Sequence, residues 1–368
     1  MEPKSLMKLC RDGESASTTP ENSLLMPLSR ARSFATPPRF PFGIDDLNPD
    51  PSRQPGDPSL ARCYVRGCPH ILTRPARGKR GRACPEHGIY CHRSCTGGTY
   101  SYADASRNII AGIDWFRQRI LRHPFKYESH RMGQERSEDA VSWNVFRSLQ
   151  EARRLSDFVR LATGEAHSAE PQLFLWGIRL TDDAFDAWPL LIASRQRFES
   201  KLPVDRPQTE PDIALHLPGK YLILIEAKFT SPNTYYLRGP RKDKSSLTLD
   251  ELLSIYDEPD QRILNRDAAR AADRVFYQLW RNMVFAEWMA RFDSPGTRAY
   301  HLNLVRSGYE QATAKEFAGL ITAGFEDRFG QITWEQIHGW STGDERLSTM
   351  CEYLRTKTAG LTKAFSIE

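Results

Sequence analysis

The chain has 368 residues, 40% of them apolar, and a formal net charge of +5. That is enough for one sizeable domain with a packed core and a smaller module beside it. No apolar run reaches the length of about eighteen residues needed to span a membrane, and Met1 to Arg11 lacks the apolar core of a signal peptide, so an intracellular, cytoplasmic protein is expected.

The charge is unevenly spread. Residues 1–132 carry 21 Lys and Arg against 12 Asp and Glu, or +9, which leaves −4 on the remainder. The basic part is where a polyanion would be held. Residues 1–60 are rich in Pro, Ser and Arg. Thr36-Pro37-Pro38-Arg39-Phe40-Pro41, with Pro49, Pro51, Pro55 and Pro58 beyond, forbids regular helix, and a flexible tail is expected there.

Residues 61–108 form a Cys/His-rich segment, with five of the seven cysteines between Cys63 and Cys95. An odd count, interleaved with histidines, reads as metal binding rather than a disulfide framework. Four residues separate Cys63 from Cys68, two separate Cys84 from His87, and fifteen lie between the pairs. Zinc asks for four such ligands in a tetrahedron, so Cys63, Cys68, Cys84 and His87 are expected to hold a structural Zn2+. Cys91, His92 and Cys95 follow closely, and Cys91 or Cys95 could replace His87 or Cys84. From Arg62 to Arg82 there are seven basic residues and no acidic one. Arg74, Arg77, Lys79, Arg80 and Arg82 are therefore expected to grip a phosphate backbone, although such a loop could equally meet a protein partner. Gly97 to Tyr102 is expected to add a strand to this module.

A short helix is predicted over 109–125, ended by Pro124, and a long amphipathic helix over 134–161, where Val141, Val145, Leu149, Ala152, Leu155 and Val159 recur at helical spacing. A strand follows over 171–180 and a short helical stretch near 183–198. Ile213 to Leu217 and Tyr221 to Phe229 read as two strands joined by the turn Pro218-Gly219-Lys220. A polar stretch over 232–262 precedes a strong helix over 265–291. A strand over His301 to Val305, helices near 311–324 and 345–358, and a short strand at Gln331 to Trp334 complete the reading. The order predicts an α/β domain with a central mixed sheet flanked by helices.

The hairpin carries Glu210-Pro211-Asp212 on one arm and Glu226-Ala227-Lys228 on the other. Alternation on a strand points Glu226 and Lys228 to one face and Ala227 to the other, while Asp212 can meet Glu226 across the ladder. Two carboxylates at close range repel unless a cation lies between them, and hard oxygen ligands suit Mg2+ or Mn2+. The Ala227 carbonyl could add a ligand, and Lys228 is placed to orient water and offset transition-state charge.

This arrangement resembles the signature of the PD-(D/E)xK nuclease superfamily over roughly residues 134–305. The resemblance implies a restriction-endonuclease-like core and metal-dependent hydrolysis of DNA phosphodiesters. It also implies an acid on the helix before the sheet, for which Glu138 is the choice and Glu135 the reserve. In several branches a later helix offers a glutamine, a role open to Gln278, with Arg281 or Asn282 able to touch phosphate. By analogy with the superfamily, a bacterial endonuclease of restriction or defence type would fit. Many members dimerise to cut both strands, so a homodimer is open. The expected organisation is a tail over 1–60, a zinc module over 61–108 and a nuclease domain over 109–368. An RNase or exonuclease of the same fold, or a non-catalytic zinc-dependent nucleic-acid-binding protein, are the competing readings.

Overall fold

Four short strands open the described part of the chain. β1 (Ala61–Arg62) pairs with β2 (Ile71–Leu72), and β3 (Ile89–Tyr90) pairs with β4 (Ser101–Tyr102), both antiparallel. The computed structural model describes residues 61–72, 81–91, 99–120, 132–180, 185–200, 202, 208–233, 236–237, 247–257, 262–272, 274–360 and 362–368. The expected tail, Arg74, Arg77, Lys79 and Arg80 of the basic loop, and His92 and Cys95 lie outside them. The helix expected over 109–125 is α1, Ile113–Gln118, and 121–131 lies outside the described residues.

Two helices stand where one was expected over 134–161. α2 (Glu138–Glu151) is capped by Ser137, whose side chain accepts from the Ala140 amide, with Glu138 and Asp139 in the first turn. It stops at Ala152 because Arg153 turns left-handed, with φ 54°. α3 (Leu155–Thr163) restarts beyond it. Its N-terminus is satisfied by Glu170, which accepts from the Leu155 and Ser156 amides. That cap comes from fourteen residues downstream of Ser156, out of reach of local pattern reading.

The stretch expected as one strand over 171–180 is a hairpin of β5 (Gln172–Leu175) and β6 (Ile178–Leu180). Trp176 and Gly177 both take positive φ, 55° and 75°, as a two-residue hairpin turn requires. β7 (Phe185–Ala187) and α4 (Pro189–Glu199) follow, then the expected hairpin, β8 (Ile213–Leu217) and β9 (Tyr221–Ala227). Within the polar stretch 232–262 lie β10 (Tyr236–Leu237) and α5 (Leu249–Tyr256), the latter opened by a Thr248/Glu251 capping box. The helix expected over 265–291 is also divided. Asn265 caps α6 (Arg266–Ala271), β11 (Arg274–Val275) leaves to pair with β10, and α7 (Tyr277–Asp293) begins after it. β12 (Arg298–Val305), α8 (Gln311–Ala318), β13 (Phe329–Thr333), α9 (Trp334–Ser341) and α10 (Ser348–Thr356) close the chain. α9 was not foreseen; Thr333 and Gln336 form its capping box.

Among the described residues the mixed α/β sheet has seven strands, in the order β13-β12-β9-β8-β5-β6-β7. β12 runs parallel to β9 and β13, and the remaining pairs are antiparallel. β9 is central and buried along its whole length, which is why it reads as a continuous apolar run rather than an alternating one. Ile223, Ile225 and Ala227 face a core shared with Val141, Trp143, Phe158, Trp334 and Tyr353. Leu222 and Leu224 face a second core shared with Leu191, Phe198, Trp280, Met283 and Phe317. Helices therefore cover both faces of the sheet, and Glu226 and Lys228, in phase with Leu222 and Leu224, look toward α7.

Candidate active site and metal centre

The register Ile213↔Ile225 places Asp212 opposite Glu226 as the ladder continues. The Ala227 amide donates to Asp212 Oδ2 at 2.9 Å. Lys228 Nζ lies 2.5 Å from Glu226 Oε1, so the two side chains share a face as alternation requires. Both are nearly buried, at 3% exposed for Glu226 and 6% for Lys228. α7 adds two amides from successive turns. Gln278 Nε2 donates to Glu226 Oε1 at 2.8 Å, and Asn282 Nδ2 to Oε2 at 2.8 Å. Glu226 thus accepts three bonds and keeps about one lone-pair direction for another partner.

Glu138 reaches the end of the same strand from the opposite helical layer. Its Oε2 accepts from the Phe229 amide at 2.5 Å, and its Oε1 from Ser231 Oγ at 2.8 Å. Glu135, the reserve acid, is elsewhere: it is fully buried and its carboxylate faces Lys357 and Thr358. A backbone bond from Lys228 N to Leu304 O at 2.7 Å and a side-chain bond from Trp334 Nε1 to Lys228 O at 3.1 Å fix the strand end.

The charges divide the work. Burial alone would raise the Glu226 pKa and lower that of Lys228, but their mutual attraction prevails. Glu226 sits below its usual range and Lys228 above, helped by Asp212 and Glu138. Asp212 goes the other way. Burial raises it, the Glu226 charge raises it further, and Lys228 and the Ala227 amide do not compensate. One lysine thus neutralises one carboxylate and leaves the second in want of a proton or a cation.

Sequence reasoning missed several groups around this centre. On β12, Asn303 is the register partner of Glu226 and is fully buried. It donates to Gln331 and accepts from Asn233, which also donates to Glu310. His301, two residues earlier on the same face, is pushed down to about 4 by burial and is neutral. The signal was present: within the apolar run Leu302–Leu304–Val305, a period-2 pair of His301 and Asn303 marks a polar strip on one face. Asn282, offered by the sequence for phosphate contact, donates to Glu226. Arg281 stacks over Tyr277, 5.0 Å from the ring centre, and its charge also lowers Glu226.

The second constellation is in the β1–β4 module. Cys63, Cys68, Cys84 and His87 bring their ligand atoms within 4.8 Å of one another, the set expected from spacing. Cys68 and Cys84 Sγ are 3.8 Å apart, and His87 Nδ1 lies 3.6 Å from Cys63 Sγ and 3.5 Å from Cys84 Sγ. A tetrahedron with Zn–S of about 2.3 Å and Zn–N of about 2.0 Å has edges of about 3.8 Å between sulfurs and about 3.5 Å from sulfur to nitrogen. These four residues therefore could hold zinc. Cys91 is buried beside Cys63, where its hydrogen bond and then burial raise the Cys63 thiol; burial pushes Cys68 up to about 12. Arg82, the one member of the expected phosphate-gripping set that is described, is exposed beside this knuckle.

Among the described residues, the groups converging within 4.8 Å are that set and Cys68, His70 and Glu86. Glu138, Asp212 and Glu226 are not such a group, since Glu138 is drawn to the Phe229 amide and Ser231. The donor chemistry nonetheless fits a hard cation: Asp212 is an undercompensated carboxylate, and Asn282 Oδ1 beside Glu226 is a buried oxygen with no hydrogen-bond partner.

Residues 196–357 match a family model described as restriction endonuclease associating with ARP, which suggests a restriction-endonuclease-like family and a nuclease. The matched region holds Asp212, Glu226, Lys228 and Gln278; Glu138 and the Cys/His module precede it. No curated protein and no solved structure matches the chain. No helix among the described residues is long and apolar enough to cross a membrane.

Proposed function

We propose that this chain is a divalent-cation-dependent nuclease of the PD-(D/E)xK type that hydrolyses DNA phosphodiester bonds, with an endonucleolytic role in restriction or defence. The observation that carries the reading is the Asp212, Glu226, Lys228 and Gln278 constellation at the end of β9, within the region matching a restriction-endonuclease family.

Asp212, Glu226 and the Ala227 carbonyl would hold Mg2+ or Mn2+, with Glu138 as the third acid. Such an ion, when bound, supplies a Lewis acid and lowers the pKa of water. Lys228 keeps its proton against Glu226, so its part is to orient the attacking water and offset negative charge at phosphorus. Gln278 and Asn282 fix the Glu226 carboxylate, leaving its free lone pair aimed by α7 rather than by rotamer chance. Trp334 and Leu304 hold the backbone at Lys228. The Cys/His module would carry structural Zn2+, and its basic loop, with Arg82, would meet the DNA backbone. Duplex DNA is the proposed substrate, and a homodimer would suit cutting of both strands.

The test uses supercoiled DNA, linear duplex and single-stranded RNA, each with Mg2+, Mn2+ or EDTA. Cation-dependent nicking of the closed circle, lost in Asp212→Ala, is the expected result. Cutting confined to RNA or to free ends would move the assignment to an RNase or an exonuclease. No cleavage with DNA binding retained would make the chain a binding protein.

A further inference from the structure

Glu138 does not reach the sheet on the strength of its own helix alone. The Cys84–His87 knuckle is closed by bonds from Gly88 N to Cys84 O at 2.8 Å and from Cys84 N to Ile89 O at 2.9 Å. Arg107 Nη1 clasps the His87 carbonyl at 2.6 Å. β3 then pairs with β4, setting Ile89 opposite Tyr102. The other edge of β4 carries the segment that leads into α2. Tyr102 N donates to Gly133 O at 2.8 Å, Ser101 bridges Gln134, and Glu135 N donates to Tyr100 O at 3.1 Å.

From that segment the chain of contacts continues to the acid. Asn108 Nδ2 donates to the carbonyls of Met132 and Gln134, at 2.7 and 2.9 Å. The buried Glu135 carboxylate accepts from Thr358 N at 3.0 Å, Thr358 Oγ1 at 2.9 Å and Lys357 Nζ at 3.2 Å. Lys357 Nζ also donates to Asn108 Oδ1 at 2.7 Å. Ser137 N returns to Gln134 O at 3.1 Å, and the Ser137 hydroxyl caps α2 at Ala140. Glu138 is the next residue.

We propose that the Cys/His module is the support that fixes Glu138, with Glu135 as its positioning residue, so that zinc loading sets the affinity of the active site for its divalent cation. This rests on the role given to Glu138 above. Residues 132–135 take strand-like pairing from β4 and no other described strand. Loss of the knuckle therefore removes that pairing and leaves the entry to α2 resting on the bonds of Glu135 to Lys357 and Thr358, while β8, β9 and α7, held by their own cores, keep Asp212, Glu226 and Gln278 in place. The two acids three residues apart have separate tasks: Glu135 anchors, and Glu138 reaches the site.

The test compares the full chain loaded with zinc and stripped by a zinc-selective chelator. It reads amide exchange, and it reads Mn2+ binding by electron paramagnetic resonance, taking the Mn2+ signal that Asp212→Asn removes. Stripping should speed exchange over 99–120 and 132–138 while 213–227 and 277–305 keep their protection, and should weaken Mn2+ binding at least tenfold. Glu135→Gln, which keeps the zinc ligands, should loosen 132–138 and weaken Mn2+ in the same direction. Glu138→Ala should weaken Mn2+ equally with and without zinc, because the support has nothing left to position. Unchanged Mn2+ affinity on stripping, with tight binding to the loaded form, would overturn this proposal and leave the nuclease reading standing. Loss of protection across the whole chain would overturn it too, by making zinc a requirement for folding. Absence of Asp212-dependent Mn2+ binding in the loaded protein would overturn both readings.

Discussion

Asp212→Asn should stabilise the cation-free protein above neutral pH while abolishing cleavage. Asp212 directly precedes β8 and, as the register Ile213↔Ile225 continues, faces Glu226 of β9; cross-strand partners of this kind lie about 5 Å apart. Two unit charges at that distance repel by roughly 3 kcal/mol at an effective dielectric of about 20. Lys228 is shared with Glu226 and offsets part of this, leaving about 1–2 kcal/mol. Asparagine keeps an oxygen for the Ala227 amide, so the ladder contact survives. The folded Asp212 pKa lies above its unfolded value. The folded state therefore binds more protons, and the stability this contributes is full below about pH 4 and is lost as pH rises through the folded pKa. Urea unfolding in EDTA at about pH 5 and about pH 8 should show the wild type losing stability with pH more steeply than the variant. Adding Mg2+ should stabilise the wild type more than the variant, because the ion binds only the folded site. A variant less stable than the wild type in EDTA at the higher pH, or one with the same pH slope, would refute the electrostatic reasoning.

Lys228→Met should be costly for the opposite reason. It strands the buried Glu226 charge, at about 3–5 kcal/mol on the scale of broken buried pairs; denaturant titration reads it, and a loss under about 1 kcal/mol would contradict the pairing. Gly177→Ala should destabilise by about 1–3 kcal/mol, because φ is positive there and the new methyl would collide with Leu191 in the core; an unchanged melting temperature would argue against the turn. The full chain should carry zinc bound through Cys63, Cys68, Cys84 and His87, released by Cys84→Ser, with affinity that rises with pH because the raised thiols must lose protons; elemental analysis and competition with a chromogenic chelator read both.

The central hairpin was legible because both of its signals are local. An apolar run long enough for a buried strand leads into Glu-x-Lys, and a Pro-Gly turn separates it from its partner. The knuckle was legible as a cluster of short-spaced Cys and His pairs, but spacing left Cys91 and Cys95 open as alternatives, and only the fold brings Cys63, Cys68, Cys84 and His87 together. Helix continuity was not legible. The break between α2 and α3 is stabilised by Glu170, and that between α6 and α7 by strand pairing of β11 with β10, both long-range events that override periodicity. The roles of the two acids near α2 were separable only in three dimensions, because Glu135 and Glu138 differ not in sequence setting but in what faces them. Asn303 left a trace in the sequence as the period-2 partner of His301, whereas the contact of Asn282 with Glu226 and the place of Asn233 beside Asn303 depend on packing between residues far apart in the chain.

The most direct measurement of the central claim is the rate of nicking of supercoiled DNA in Mg2+ by the wild type and by Asp212→Asn, beside their equilibrium affinities for the same DNA. The expected result is a fall in rate of several orders of magnitude, roughly the size seen when a group acting in the transition state is removed, with DNA affinity nearly unchanged. Equal cleavage by the two proteins would place the chemistry elsewhere and contradict it.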